Sequence, residues 1–223
     1  MTKLVLKNET LGYESVTVLK NISLSIQKGE KIALLGKSGS GKSTLLKKLH
    51  SLDTQNISYI PQELGLVDTL SVFHNVYISQ LDSNSTLYNI RNLIKPAKKE
   101  IQNIAPILKE LHIDDLIFKK CGELSGGQRQ RTAIARAISQ NKNILLADEP
   151  ISALDEFITG KVVDSLFHRF ETIVCALHNV DIALKYFDRV VGIKDGQIIL
   201  DKQCAKITSD DTNQLYHVCD DQF

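Results

Sequence analysis

The glycine-rich segment Gly36–Ser43 constrains the fold of this chain more than any other feature. It fits the pattern G-x-x-x-x-G-K-[ST]. An unbroken apolar run, Lys31–Leu35, precedes it, and Thr44–Leu52 follows with leucines at helical spacing. Such a strand–loop–helix unit turns backbone N–H groups and the start of the helix toward a phosphate. We therefore expect a phosphate-binding loop (P-loop) in which Lys42 reaches the β- and γ-phosphates and Ser43 binds Mg²⁺.

Apolar strands alternate with helices along the second half of the chain. After Ser125 we predict a helix to about Gln140, a strand at Ile144–Ala147, a helix at about Thr159–Phe170 and a strand at Thr172–Leu177. This alternation favours an α/β fold with a mainly parallel sheet.

Three other segments complete the predicted organisation. Leu4–Leu6 and Val18–Ile26 indicate strands at a small β edge, and Val190–Lys194 with Gln197–Leu200 indicates a closing hairpin. Residues from about 64 to 123 are more polar, and we predict a helical subdomain there, interrupted at Pro96 and Pro106. With 223 residues, we expect one domain over residues 1–223 that contains this subdomain.

Composition restricts where the chain works and what it binds. Its formal net charge is +1, which gives no support to a general nucleic-acid or anionic-membrane binder. We find neither an apolar run long enough to span a bilayer nor a signal peptide. Four scattered cysteines (Cys121, Cys175, Cys204 and Cys219) form no CxxC pair, as in reduced cytosolic proteins.

A second phosphate-binding pattern follows the polar segment. In Leu124–Arg131, Ser125 suits a helix N-cap, and Gly126 and Gly127 expose N–H groups at the helix start. Taken alone, this is also what an ordinary capped helix after a glycine turn looks like. Paired with the P-loop, the segment resembles the signature of the ABC (ATP-binding cassette) family at every position that defines it.

Further motifs follow in the order of that family. Ile144–Pro150 resembles its Walker B strand, which implies that Asp148 supports Mg²⁺ and that Glu149 orients or deprotonates the attacking water. Ser152–Asp155 resembles the D-loop, although Asp155 is equally suited to a helix N-cap. His178 stands where the family has its switch histidine.

Two more positions complete the resemblance, which covers nearly the whole chain. Gln62 matches the Q-loop glutamine, which touches Mg²⁺ and water, and Tyr13 matches the aromatic residue that stacks on adenine, although a tyrosine is more often simply packed. The family fold is a P-loop NTPase with a RecA-like core, a small antiparallel β edge and an inserted α-helical subdomain. The implied ATP-binding residues are Tyr13, Gly36, Lys37, Ser38, Gly39, Ser40, Gly41, Lys42, Ser43, Thr44, Ser125, Gly126, Gly127 and Asp155. The implied catalytic residues are Glu149, His178, Gln62 and Lys42, and the implied Mg²⁺ ligands are Ser43, Gln62 and Asp148.

The sequence departs from the family pattern at two places. Gln62 follows Lys42 by 20 positions, about half the usual separation, so that residues Ser51–Ser58 replace most of a peripheral antiparallel piece. Glu156 stands where a proline is frequent. The stretch Ala176–Gly196 looks most like the ATPases of phosphonate importers.

The resemblance also implies partners. We expect a homodimer that sandwiches ATP, because the P-loop of one protomer and the signature of the other grip the same nucleotide. We also expect integral membrane permease subunits, an extracytoplasmic solute-binding protein, no nucleic acid, and a peripheral position on the cytoplasmic face of the inner membrane. The alternatives are a non-transport ABC ATPase and a regulatory cassette with weak catalysis.

Overall fold

A computed structural model describes residues 4–13 and 16–216 of the chain. They cluster into two compact units. The first unit is drawn from Met1–Ile57, Leu146–Glu149 and Glu171–Phe223, and the second comprises Ser58–Leu145 and Pro150–Phe170. No helix in the described part of the chain has the length and apolar character needed to cross a membrane. Cys219 and the first three residues lie outside the described residues.

The first unit is built on a mostly parallel sheet. Its central strand, β3 (Lys31–Leu35), pairs in parallel with β6 (Thr172–Ala176) on one side and with β7 (Arg189–Lys194) on the other. β5 (Ile144–Asp148) lies beyond β6. Residues Ile32 to Leu35 are completely buried, as an apolar run predicts for a central strand. The predicted fold class is therefore confirmed.

An antiparallel strand closes the far edge of this sheet. β8 (Gln197–Gln203) pairs antiparallel with β7 through a tight turn at Asp195 and Gly196. Both turn residues have positive φ angles, 48° and 75°, as a two-residue hairpin with right-handed strand twist requires. The predicted hairpin is confirmed, and its second strand runs three residues further than expected.

The remaining elements of the first unit flank the sheet. β1 (Leu4–Tyr13) and β2 (Val16–Ile26) form a separate antiparallel pair, and both are longer than the apolar alternation predicted. The helices of this unit are α1 (Lys42–Leu52), α7 (Val180–Tyr186) and α8 (Ser209–Tyr216).

Helices dominate the second unit. They are α2 (Val72–Tyr77), α3 (Thr86–Ile94), α4 (Lys98–Glu110), α5 (Gly126–Ser139) and α6 (Glu156–Arg169). β4 (Ile57–Ile60) begins where the first unit ends and neighbours β5. α2, α3 and α4 fall within the predicted helical segment. The subdomain limits at about 64 and 123, and the assignment of residues 1–223 to one domain, stay predictions.

Two expectations about helix ends were wrong. Pro106 lies inside α4 and does not interrupt it, so the helix tolerates the missing N–H that proline imposes. α6 begins at Glu156, three residues before the predicted start, because the Asp155 carboxylate accepts a hydrogen bond from the backbone N–H of Ile158 at 2.9 Å. That bond satisfies one of the free donors at the helix start.

Candidate nucleotide-binding site

Two glycines of the P-loop occupy positions that strongly disfavour any other residue. Gly36 has a φ angle of 150°, and a Cβ atom there would lie 2.2 Å from the carbonyl oxygen of Ile193. Gly41 has a φ angle of 107°, and its Cβ would lie 2.5 Å from Cδ2 of Leu19. L-residues rarely adopt such angles. Positive φ and close neighbours together therefore give the loop its shape.

The loop presents unsatisfied polar groups. Gly41 caps α1 without a side-chain hydrogen bond, and the first turn of α1 contains no acidic residue. The buried hydroxyl of Ser40 has no hydrogen-bond partner among the described residues. Buried polar atoms in native proteins are nearly always paired. These free donors at a helix N-terminus fit an anion.

Lys42 supplies the positive charge of the loop. Its ammonium group is buried and donates to the carbonyl oxygens of Gly36 at 2.7 Å and Lys37 at 3.0 Å. Burial lowers the pKa of Lys42, and the nearby carboxylates of Glu149 and Asp148 oppose that shift. The side chain therefore lies across the loop, where it can reach phosphate oxygens.

Asp148 ends β5 beside the P-loop helix and fits the second coordination shell or the ligand set of a magnesium ion. It is 2% exposed, and its Oδ1 has no hydrogen-bond partner among the described residues. Burial raises the pKa of Asp148, and the neighbouring Ser43 hydroxyl opposes that shift. The described residues contain no cluster of three or more His, Cys, Asp or Glu side chains that could hold a metal.

Glu149 and His178 meet at the ends of β5 and β6. His178 Nε2 lies 2.5 Å from Glu149 Oε1, and the backbone N–H of Glu149 donates to the carbonyl of Ala176 at 3.1 Å. Glu149 has a φ angle of 54°, which costs a non-glycine residue about 1 kcal/mol. This strained backbone directs the carboxylate away from the continuing strand and toward the exposed His178.

Tyr13 offers an accessible aromatic face in the same unit. The residue is 50% exposed at the end of β1, and Lys47 Nζ of α1 lies 5.4 Å from its ring centroid. A half-exposed ring next to the P-loop helix is suited to stacking on a nucleobase.

A contact near the P-loop was missed by sequence reasoning. Tyr216, at the end of α8, lies beside Gly36: burial raises the pKa of its hydroxyl, and the Gly36 backbone opposes that shift. No pattern in the sequence links a residue so near the C-terminus to this loop.

The signature segment forms a well-capped helix start in the second unit. The Ser125 hydroxyl accepts from the backbone N–H of Gln128 at 3.3 Å, and the Gln128 side chain accepts from the Ser125 N–H at 3.0 Å. This reciprocal pair is the capping box. It fixes the first turn of α5, to which Gly126 and Gly127 belong.

The predicted D-loop packs directly on the signature helix. Gln130 of α5 donates to the Ser152 hydroxyl at 2.8 Å and accepts from the backbone N–H of Ala153 at 3.0 Å. A Cβ on Gly127 would lie only 2.9 Å from the Ala153 carbonyl oxygen. The signature and the D-loop therefore form one rigid piece, which ends in the capping residue Asp155. Gln130 was not among the predicted site residues.

Gln62 is exposed and begins a tight turn that α5 secures. Leu64, in this turn, has a φ angle of 58°, and Arg136 donates to the backbone carbonyls of Leu64 and Gly65. Arg129 forms an ion pair with Asp68 at 2.6 Å. Sequence reasoning missed the two arginines, since basic residues on a helix are ordinarily solvated.

The structure thus gathers the predicted residues in two groups. Tyr13, the P-loop, Asp148, Glu149 and His178 belong to the first unit, and Gln62, the signature glycines and Asp155 belong to the second. The contribution of each residue to ATP binding or hydrolysis stays a prediction.

Comparison with known proteins points to one family. Residues 19–152 match the family described as ABC transporter. The phosphonates import ATP-binding protein PhnC of Fusobacterium nucleatum is 33% identical over 245 residues, which covers 96% of this chain and 98% of that protein.

Solved structures agree. The dimeric structure of a bacterial ABC transporter cassette has a TM-score of 0.78 and 27% identity, and the match covers 91% of this chain and 99% of that one. A dimeric post-hydrolysis state of an ATP-binding cassette, bound to ADP and Pi, has a TM-score of 0.73, also with 27% identity and the same coverage. Since motifs, fold and both kinds of comparison agree, this chain belongs to the ABC transporter family as one of its ATP-binding, ATP-hydrolysing subunits.

Proposed function

We propose that this chain hydrolyses ATP, as one half of an ATP-sandwiched homodimer, to drive import of a phosphonate-like anion. The observation that carries the proposal is the grouping of Lys42, Ser43, Asp148, Glu149 and His178 at one end of a parallel sheet. Open α/β sheets bind ligands at the carboxyl ends of their strands. The curated relative named above is a phosphonates import protein, which supports the substrate class.

The residues of the first unit suit phosphoryl transfer to water. Glu149 orients the attacking water and accepts its proton, and His178 holds the Glu149 carboxylate in position through their 2.5 Å contact. Lys42 leaves the loop carbonyls to pair with the β- and γ-phosphates. Ser43 and Asp148 would hold Mg²⁺, which would neutralise charge on the phosphates.

A dimer explains why one chain carries two anion-binding helix starts. The signature of one protomer, Ser125 to Gly127, contacts the γ-phosphate of the ATP bound to the P-loop of its partner, and a twofold axis makes both contacts equivalent. The Asp155 segment crosses the same interface. The solved relative is a dimeric cassette, which supports this arrangement.

The resemblance to ABC transporters implies partners in transport. Integral permease subunits carry the solute, and an extracytoplasmic binding protein delivers it to them. The cassette lies peripherally on the cytoplasmic face of the inner membrane. The turn that starts at Gln62 passes closure of the dimer to the permease, because Arg136 ties it to the signature helix.

Two alternative functions can be distinguished from this proposal by what the protein copurifies with and by whether it hydrolyses ATP. A non-transport ABC ATPase would copurify with nucleic acid or ribosomes, whereas an importer subunit copurifies with a multi-span membrane protein. A regulatory cassette would bind ATP without hydrolysing it. The intact set of Lys42, Asp148, Glu149 and His178 argues against the regulatory alternative.

Light scattering of the Glu149→Gln protein tests the mechanism. The substitution removes the proton acceptor and retains the shape of the side chain, so we expect a dimer with ATP and Mg²⁺ and a monomer with ADP. Asp164→Asn, which removes an exposed carboxylate from α6, is the control and should hydrolyse ATP at the wild-type rate. A Glu149→Gln protein that stays monomeric with ATP, although it binds the nucleotide, would contradict the sandwich mechanism.

A transport assay tests the substrate class. The ATPase is reconstituted with its permease and binding protein, and hydrolysis is measured with methylphosphonate or with an amino acid as solute. Stimulation by methylphosphonate is the expected result. Stimulation by the amino acid alone would refute the assignment to phosphonates and leave the ATPase mechanism intact.

A further inference from the structure

Helix α3 (Thr86–Ile94) buries polar side chains and exposes its apolar face. A helix on a globular protein normally buries its apolar stripe and exposes its polar face. In α3 the buried residue is Asn92, at 0% exposure, whereas Leu87 and Ile94 are 82% and 81% exposed. The polar face is therefore the one that packs against the rest of the second unit.

A hydrogen-bond network holds the polar face inward. Asn92 donates to the Tyr77 hydroxyl at 3.2 Å and accepts from the backbone N–H of Ala97 at 2.8 Å. The Tyr77 hydroxyl donates to Asn89 at 2.8 Å, and the Tyr88 hydroxyl donates to the buried Glu100 at 2.9 Å. Buried polar groups are costly unless they are paired, so rotation of α3 about its axis would break a satisfied network.

The outward face of α3 is correspondingly apolar. Leu87, Ile90 and Ile94 stand at i, i+3 and i+7, and Leu93 extends the same stripe. Ile90 and Leu93 are 52% and 54% exposed. Single exposed apolar residues need no explanation, but a continuous stripe marks a surface that contacts something else.

Four cations lie within or shortly after the stripe in the sequence. Arg91, Lys95, Lys98 and Lys99 are all exposed, and residues 87–99 contain no acidic side chain. Within the described residues, none of the four cations forms an ion pair with a carboxylate. The net charge of the whole chain hides this cluster, because acidic residues elsewhere balance it.

The charge distinguishes between two kinds of partner. Cytoplasmic loops of membrane proteins carry an excess of Lys and Arg, which would repel four cations. The cytoplasmic leaflet is negatively charged and attracts basic segments, and exposed leucine and isoleucine side chains insert at the boundary between headgroups and acyl chains. We propose that the outward face of α3 docks on the surface of an anionic lipid bilayer.

Vesicle binding tests this proposal. The full chain, without nucleotide, is sedimented with vesicles of phosphatidylcholine alone or mixed with phosphatidylglycerol, at low and at high salt. We expect binding only to the mixed vesicles, weakened by salt. Arg91→Gln with Lys95→Gln should lower the partition coefficient by about tenfold or more, and Leu87→Gln with Ile94→Gln should abolish binding.

A control variant outside the stripe distinguishes binding through α3 from non-specific adsorption to the vesicles. Ile199→Gln with Lys109→Gln removes one exposed apolar side chain and one exposed cation outside the stripe, and it should bind mixed vesicles as the wild type does. All variants should retain ATP hydrolysis, since none of the changed residues is proposed to touch the nucleotide.

Three outcomes would overturn the proposal. The wild type could fail to bind mixed vesicles at low salt, or every variant could bind equally. The detergent-solubilised permease could instead capture the wild type and lose the Leu87 and Ile94 variant, without any vesicle binding, which would identify a protein partner. Because vesicle binding needs neither ATP nor permease, loss of hydrolysis would refute the proposed function without touching this result.

Discussion

Replacing Gly127 by alanine should destabilise the protein, whereas the same change at the adjacent Gly126 should not. Both glycines lie in the first turn of α5, and neither has a positive φ angle, so alanine gains about 0.5–1 kcal/mol of helix stability at either position. A Cβ at Gly126 would lie at an ordinary 3.6 Å from Cβ of Ala153. At Gly127 it would lie 2.9 Å from the Ala153 carbonyl oxygen and 3.2 Å from Cδ2 of Leu154.

The difference between the two variants isolates the contact with the D-loop. A backbone oxygen cannot move aside as the end of a flexible side chain can, and overpacking of this kind costs about 1–3 kcal/mol. The gain in helix propensity cancels in the comparison. We therefore expect Gly127→Ala to have a free energy of unfolding lower than that of Gly126→Ala by about 1–3 kcal/mol.

Urea unfolding followed by circular dichroism measures this difference. With a slope of about 3 kcal/mol per M, the unfolding midpoint of Gly127→Ala should lie about 0.3–1 M below that of Gly126→Ala. Stability is the appropriate measurement, because both glycines are proposed to contact ATP and both variants could lose activity. Equal midpoints would refute the inference that the signature helix and the D-loop form one tightly packed piece.

Three further predictions follow from other parts of the structure. Gly36→Ala should weaken nucleotide binding in titration calorimetry by more than about 100-fold, since overpacking and a strained φ angle both act on the loop; binding within threefold of wild type would contradict this. Asn75→Ala should lower the free energy of unfolding by about 2–4 kcal/mol in urea, because the buried amide pairs with backbone groups of residues 67–71; an unchanged midpoint would refute that role. Burial raises the pKa of Cys175 to about 12, so its contribution to the free energy of unfolding is fully present below the unfolded thiol pKa of 9.0 and is lost as pH rises through the range between the two values; among the three described cysteines, an alkylating reagent at pH 8 should modify the half-buried Cys204 before the buried Cys121 and Cys175, and early labelling of Cys175 in the folded protein would argue against its burial.

The sequence by itself determined the elements that are specified by residues close together in the chain. Lys31–Leu35 had to be a buried strand because every side chain is suited to an apolar interior apart from the first. The pattern that contains Gly36 and Gly41 predicted a phosphate-binding loop, and Asp195–Gly196 predicted a hairpin turn. All four residues have positive φ angles in the structure. In each case the physical requirement acts within a few residues, so the pattern predicts the structure.

Only the tertiary structure decided which distant residues meet. The contact between Glu149 and His178, the proximity of Ser43 to Asp148 and the hydrogen bonds from Arg136 to the turn after Gln62 join segments far apart in the chain. No local pattern encodes such contacts, because they depend on strand order and helix packing.

The orientation of α3 shows the same limit most clearly. Its apolar stripe predicts a buried face by every local rule, yet the Asn92 network turns that stripe outward. Periodicity identifies which residues of a helix share a face, but the polar partners that tertiary folding brings to Asn92 decide which face lies inside.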